Sequence, residues 1–144
     1  MDFADSVAGA LPEMRRLAES LMTLTVTPHE PNGTTPTGPG GSDVRVFIDH
    51  TPHKAKVQGG STQSDDTATR YEVIGTVSRP ILAGGLQIPL SAPCPSAGLP
   101  GRGWEYTVDS VGPLDDPTLT ARRYRVVSSP AKSRATARRL DVVE

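Results

Sequence analysis

Apolar residues follow two different rhythms along this chain. Between residues 2 and 22, Val7, Ala10, Leu11, Met14, Leu17, Ala18 and Leu21 recur at three- and four-residue steps, drawing one apolar stripe along a helix. Glu13, Arg15, Arg16, Glu19 and Ser20 fall off that stripe. Pro12 interrupts it, because proline inside a helix deletes one hydrogen bond and collides with the preceding turn. The spacing predicts either a kinked helix or a short first turn followed by a helix whose first residue is Pro12, and we favour the second. A stripe this narrow suits packing on a sheet or on a neighbouring subunit.

After Met22 the rhythm becomes two. Thr23-Leu24-Thr25-Val26-Thr27 alternates as a half-buried strand does. Residues 28–42 are nearly free of apolar side chains, and Pro31-Asn32-Gly33 and Gly38-Pro39-Gly40-Gly41 mark turns, so this stretch predicts a flexible hairpin loop. Val44-Arg45-Val46-Phe47-Ile48 and Lys54-Ala55-Lys56-Val57-Gln58 are the next strands. A second polar loop covers 59–68. One longer strand is expected over 70–77 with a bulge at Gly75, and a short one around 86–90 that Pro89 demotes to an edge. A Gly/Pro-rich loop over 91–103 precedes the strand at 104–110. The turn-rich 112–118 and the strand at 122–128 follow, and the last segment is 135–143. Tyr124 and Val126 alternate with arginines, which predicts one buried and one basic face. Seven or eight short strands after one helix indicate a barrel or a sandwich. The expected fold is mainly β: a small antiparallel β-barrel over 23–144, an N-terminal α-helix over 1–22, and long loops at 28–42, 59–68 and 91–103.

Composition trims this picture. With 144 residues the chain is about one domain, and with 35% hydrophobic and 4% aromatic residues its core is lean. Such a core suggests that neighbouring subunits supply some of the burial. The net charge of −1 argues against whole-domain attraction to nucleic acid or an anionic membrane. It conceals an asymmetry: residues 1–120 carry eight basic and fourteen acidic residues, and residues 121–144 carry seven basic and two acidic. Opposite-sign regions suit head-to-tail contacts between copies. The single cysteine, Cys94, excludes an intrachain disulfide and fits a reducing compartment. The N-terminus lacks the basic and apolar regions of a signal peptide, and no apolar run is long enough to span a bilayer. We therefore expect a soluble protein made in the cytoplasm.

A search for chemistry returns little. His50 and His53 with Asp49 fall short of a metal ligand set, so no metal is expected and the histidines read as surface residues. Asp65-Asp66 and Asp115-Asp116 read as turn formers rather than an acid/base pair. The Gly-rich segments lack the Lys-Ser/Thr and helix of a phosphate-binding loop, and no Gly-x-Ser-x-Gly elbow is present. Cys94 has no local activator. Arg122, Arg123, Arg125, Arg134, Arg138 and Arg139 have only Tyr124 interleaved, too few aromatics for a nucleic-acid groove. The sequence thus predicts neither an enzyme nor a cofactor.

One resemblance spans nearly the whole chain in element order. The helix Ala8-Gly9-Ala10-Leu11-Pro12-Glu13-Met14-Arg15-Arg16-Leu17-Ala18-Glu19-Ser20-Leu21-Met22 runs directly into Thr23-Leu24-Thr25-Val26-Thr27. Near the end, Ala121-Arg122-Arg123-Tyr124-Arg125-Val126-Val127 is followed by 135–144. This layout resembles the head-to-tail stopper (head-closure) proteins of siphoviruses infecting actinobacteria. The resemblance implies a structural virion protein of the phage neck, assembled in the host cytoplasm. It implies a homohexameric ring of small barrels between the portal–adaptor ring above and the tail terminator or tail tube below. Such a ring closes the DNA channel after packaging, without sequence recognition, and provides the tail attachment platform. By element order the channel loop would be 59–68, with Gly59, Gly60, Ser61, Gln63, Asp65 and Asp66 as its candidates. The long 28–42 segment departs from the family pattern and would be a second contact arm. Ring symmetry suggests Arg122, Arg123, Arg138 and Arg139 as contacts to acids of a neighbouring subunit or ring. A tail terminator or other connector ring, and a small ligand-binding β-barrel, are the alternatives.

Overall fold

The computed structural model describes residues 3–35, 44–58, 70–82, 84–90, 92, 100–129 and 137–144. The chain is mainly β, with one N-terminal helix and a closed six-stranded antiparallel barrel. Helix α1 (Phe3–Ser20) is followed by β1 (Leu24–Thr35), β2 (Val44–Asp49), β3 (His53–Gln58), β4 (Tyr71–Ile74), β5 (Val77–Pro80) and β6 (Gly85–Ile88). Strand β7 (Glu105–Ser110), a 3-10 turn (Pro117–Leu119), β8 (Arg123–Ser128) and β9 (Arg138–Val143) complete the order.

Two three-stranded meanders build the barrel. One is β1–β3–β6 and the other β7–β8–β9; β1 pairs with β7 along one seam and β6 with β9 along the other. Period-two patterning fills the interior, because alternate side chains of every strand point inward. Each barrel strand supplies two: Leu24 and Val26, Ala55 and Val57, Leu86 and Ile88, Tyr106 and Val108, Tyr124 and Val126, Leu140 and Val142. All except the half-buried Val57 are at most 2% exposed. At about 1.5–3 kcal/mol for each fully buried large aliphatic side chain, these layers are the main stabilising feature. The expected buried face of Tyr124 and Val126 is present.

Several expectations about local structure are corrected. The 28–42 stretch is not all loop, because β1 continues through Pro28 and Pro31 to Thr35 and pairs with β2 as a hairpin arm. Pro28 needs only its carbonyl here, which accepts from the His50 N–H at 2.9 Å. The register slips between Pro31 and Thr34, where Gly33 takes φ +84°. Residues 36–43 lie outside the described residues. Pro12 does not begin the helix but lies within one continuous α1. Residues 70–77 are not one bulged strand: Gly75, at φ +63°, turns the chain so that β4 and β5 form a separate hairpin. Strand β6 is no edge; it sits between β3 and β9, and Pro89 follows its last residue.

Candidate interaction surfaces

The outer face where β1, β2, β7 and β8 meet carries a lattice of polar contacts. The guanidinium groups of Arg45 and Arg123 lie over the Phe47 ring, 4.8 and 4.9 Å from its centroid. Both arginines also bond the Glu105 carboxylate, Arg45 at 2.8 Å, and Arg45 donates to the Gly103 carbonyl at 2.7 Å. Cation–π attraction and a shared carboxylate thus fix two arginines on one aromatic ring. Beside them the His29 imidazole is 8% exposed. Its Nδ1 is 2.5 Å from Asp49 Oδ1 and its Nε2 is 2.7 Å from Thr107 Oγ1. Because a carboxylate only accepts, Nδ1 donates to Asp49, and Nε2 shares a hydrogen bond with the Thr107 hydroxyl.

Carboxylate, imidazole and hydroxyl in that order match the hydroxyl-activating arrangement of acyl-transfer enzymes. Here the imidazole is buried between strands, and none of the three clefts described below is lined by His29, Asp49 or Thr107. The chain of bonds instead ties β2, β1 and β7 together.

The histidines are not plain surface residues. His50 stacks on Trp104 with ring centroids 5.6 Å apart and planes at 13°, and its Nε2 is 3.7 Å from Glu30 Oε1. His53 meets the edge of Tyr106 at 6.0 Å, and its Nδ1 donates to the Lys54 carbonyl at 2.8 Å. Burial lowers the His53 pKa, partly opposed by that hydrogen bond. The two rings of the suspected metal pair therefore face different aromatic partners. Asp115 and Asp116 are turn formers as expected. Asp115 accepts from the Gly112 N–H at 2.7 Å, and Asp116 caps the 3-10 turn through the Thr118 N–H at 2.9 Å.

Three of the four arginines expected to face a neighbour are engaged within the chain. Arg122 pairs with Glu144 at 2.8 Å, Arg123 with Glu105, and Arg139 with Asp141 at 3.3 Å. Arg138 opens β9 opposite Ile88 and is half-buried. The residue that sequence reasoning passed over is Arg125. It is half-buried, and among the described residues it has neither a hydrogen bond nor an ion pair. Its pKa is lowered first by burial and then by Arg45, with Arg102 and Arg79 adding smaller repulsions and Glu105 opposing them. Two clefts meet on it. One of about 150 Å³ is lined by Val73, Ile74, Arg102, Val126 and Val127 among others, and one of about 230 Å³ by Ile74, Arg79, Glu105, Arg123 and Glu144. A third groove, of about 480 Å³, is formed by Val57, Leu82, Leu114, Leu119 and their polar neighbours.

Uncovered apolar side chains mark the appendages. Met14, Leu17 and Leu21 are 46%, 59% and 60% exposed along α1 and just beyond it. Val44 and Ile48 are exposed on β2, and Tyr71, Val73 and Val77 on the β4–β5 hairpin. The expected channel-loop residues Gly59, Gly60, Ser61, Gln63, Asp65 and Asp66 lie outside the described residues, as does Cys94.

These features define a small β-barrel with a filled core and apolar side chains exposed on its appendages. Residues 14–143 match the model of a family of unknown function, DUF6093, and the chain belongs to that family. No curated protein and no solved structure matches the chain.

Proposed function

We propose that this chain is a structural ring subunit of a phage neck, a head-to-tail stopper that closes the DNA channel after packaging and gives the tail its platform. The observation that carries this reading is the uncovered apolar surface on three separate appendages, α1, the β1–β2 arm and the β4–β5 hairpin, around a core that is already filled. Apolar surface left out in several directions marks sites of protein contact. A ring subunit needs contacts on its two flanks and on the rings above and below. Residues 59–68 fall between β3 and β4 in the sequence and are the segment that the resemblance assigns to the channel. The partners on this reading are further copies of the chain, a portal–adaptor ring and a tail terminator or tail tube, with DNA in the lumen.

Gold-labelled antibody against the protein, imaged on purified virions by electron microscopy, tests this. Label at the head–tail junction is the expected result. Label at the far side of a tail ring would favour a terminator. A protein that stays monomeric and never joins particles would overturn the reading.

A further inference from the structure

We propose that the groove centred on Arg125 is a socket for the Leu114–Asp116 turn of a second copy of this chain. The inference rests on the ring reading above and names the contact between neighbouring subunits. The socket runs along the outer side of β8 beneath the β4–β5 hairpin, with Val73, Ile74 and Val127 offering apolar surface and Arg79, Arg102 and Arg125 the charge. Five arginines converge there, Arg45, Arg79, Arg102, Arg123 and Arg125. Glu72 answers Arg102 and Glu105 answers Arg45 and Arg123, while the Glu144 carboxylate is held by Arg122. With Glu144 counted, which also lines the groove, five guanidiniums stand against three carboxylates, an excess of two positive charges. Arg79 donates to the Glu144 main-chain oxygen, which leaves Arg125 as the member with neither a hydrogen bond nor an ion pair among the described residues, although its backbone lies directly opposite Glu105 in the sheet. A half-buried cation in that position is poorly solvated, and an incoming carboxylate relieves both its desolvation and its repulsion from neighbouring arginines.

The same chain carries a knob of matching chemistry. Leu114 is 99% exposed at the tip of the turn between β7 and the 3-10 turn. That turn is braced: Asp115 Oδ2 takes the Gly112 N–H at 2.7 Å and the Thr23 hydroxyl at 2.5 Å. A Cβ on Gly112 would come within 2.9 Å of Thr23 Cβ, so the turn is packed close against the start of β1. Asp116 is fully exposed, and hydrogen bonds from the Thr118 N–H and hydroxyl hold its carboxyl below the usual carboxylate range. The knob is therefore an apolar tip beside a permanent negative charge, and it loses little freedom on docking because it is already fixed. Neither Leu114 nor Asp116 lines the socket clefts, so both surfaces of one subunit can be occupied at once, as a head-to-tail ring requires.

Charge-swap variants of the full chain test the contact, read by sedimentation and native mass spectrometry. Arg125→Glu and Asp116→Arg should each weaken assembly by roughly tenfold or more, and the double variant Arg125→Glu/Asp116→Arg should recover it. Mixing the two single variants should also give assemblies of alternating copies, because both junctions between unlike copies pair opposite charges. Asp116 is fully exposed, so its variant stays informative even where Arg125→Glu folds poorly. Single variants that assemble like the wild-type chain would overturn the proposal while leaving the ring reading intact. So would an Arg125→Glu protein that forms rings but loses binding to a short DNA duplex, since the anion would then be a phosphate. A wild-type chain monomeric at every concentration would remove the ring reading and this contact with it.

Discussion

The His29 imidazole and the Asp49 carboxylate meet across 2.5 Å, at the point where β1 leaves the barrel and continues into the arm with β2. Thr107 of β7 holds the other ring nitrogen, so one side chain secures three strands. Asp49 is 69% exposed, and water replaces it when it is removed, whereas removing the buried ring orphans Thr107 and opens space. Asp49→Ala should cost about 1 kcal/mol and His29→Ala about 2–3 kcal/mol. The shift of the urea midpoint at unchanged slope gives the numbers, and loss of amide-exchange protection across 44–49 locates the effect. Equal costs for the two variants would contradict the assignment of the energy to the buried ring.

Gly85 opens β6 at the seam between the two meanders. Its φ is +69°, and a Cβ there would stand 2.5 Å from the Leu140 carbonyl oxygen, a backbone atom that cannot swing aside. Gly75 shares the positive φ, at +63°, but has nothing within 4 Å. Gly85→Ala should therefore cost about 3–4 kcal/mol, strain plus collision, and Gly75→Ala only about 1–2 kcal/mol of left-handed backbone strain. Thermal melts of the two variants separate the contributions.

What was legible in the sequence was the periodicity. Leu24 and Val26, Tyr106 and Val108, and Tyr124 and Val126 announce their inward faces by alternation alone, and α1 by its stripe. The course of β1 beyond Pro28 was hidden because two prolines and a glycine mimic a loop, and only the His50 N–H and the partner β2 make their carbonyls part of a ladder. The His29 network was hidden by distance, since its partners lie 20 and 78 residues away. Among the arginines, register decides which is satisfied. Glu105 is the backbone neighbour of Arg125, yet its carboxylate reaches diagonally to Arg123 and Arg45. No local pattern distinguishes Arg125 from Arg123.

The His53 ring gives the fold a pH dependence of definite sign. Burial lowers its pKa from 6.5, so below that value the unfolded chain takes up a proton that the folded chain refuses. This contribution is fully present above pH 6.5 and is lost as pH falls from there toward the depressed folded value. Urea unfolding between pH 5.5 and 7.5 should show stability falling toward the acid end. His53→Gln should flatten part of that slope, and an unchanged slope in the variant would remove His53 as its source.

Helix α1 leaves part of its stripe uncovered, at Met14, Leu17 and Leu21. An 18-residue helix with Pro12 in its interior has little intrinsic stability in water, and most helical stability in proteins comes from packing the apolar face. Leu17 and Leu21, at 59% and 60% exposure, offer that face to another subunit. Leu17→Gln/Leu21→Gln should leave the barrel's unfolding free energy within about 0.5 kcal/mol, because neither side chain belongs to the core. Burying two leucines in an interface is worth about 3 kcal/mol, so self-association should weaken by about a hundredfold. Sedimentation equilibrium measures that constant, and far-ultraviolet circular dichroism supplies a second reading. Helical signal that rises with concentration in the wild-type chain, and stays flat in the double variant, places α1 inside the assembled interface; identical association by both proteins would exclude it.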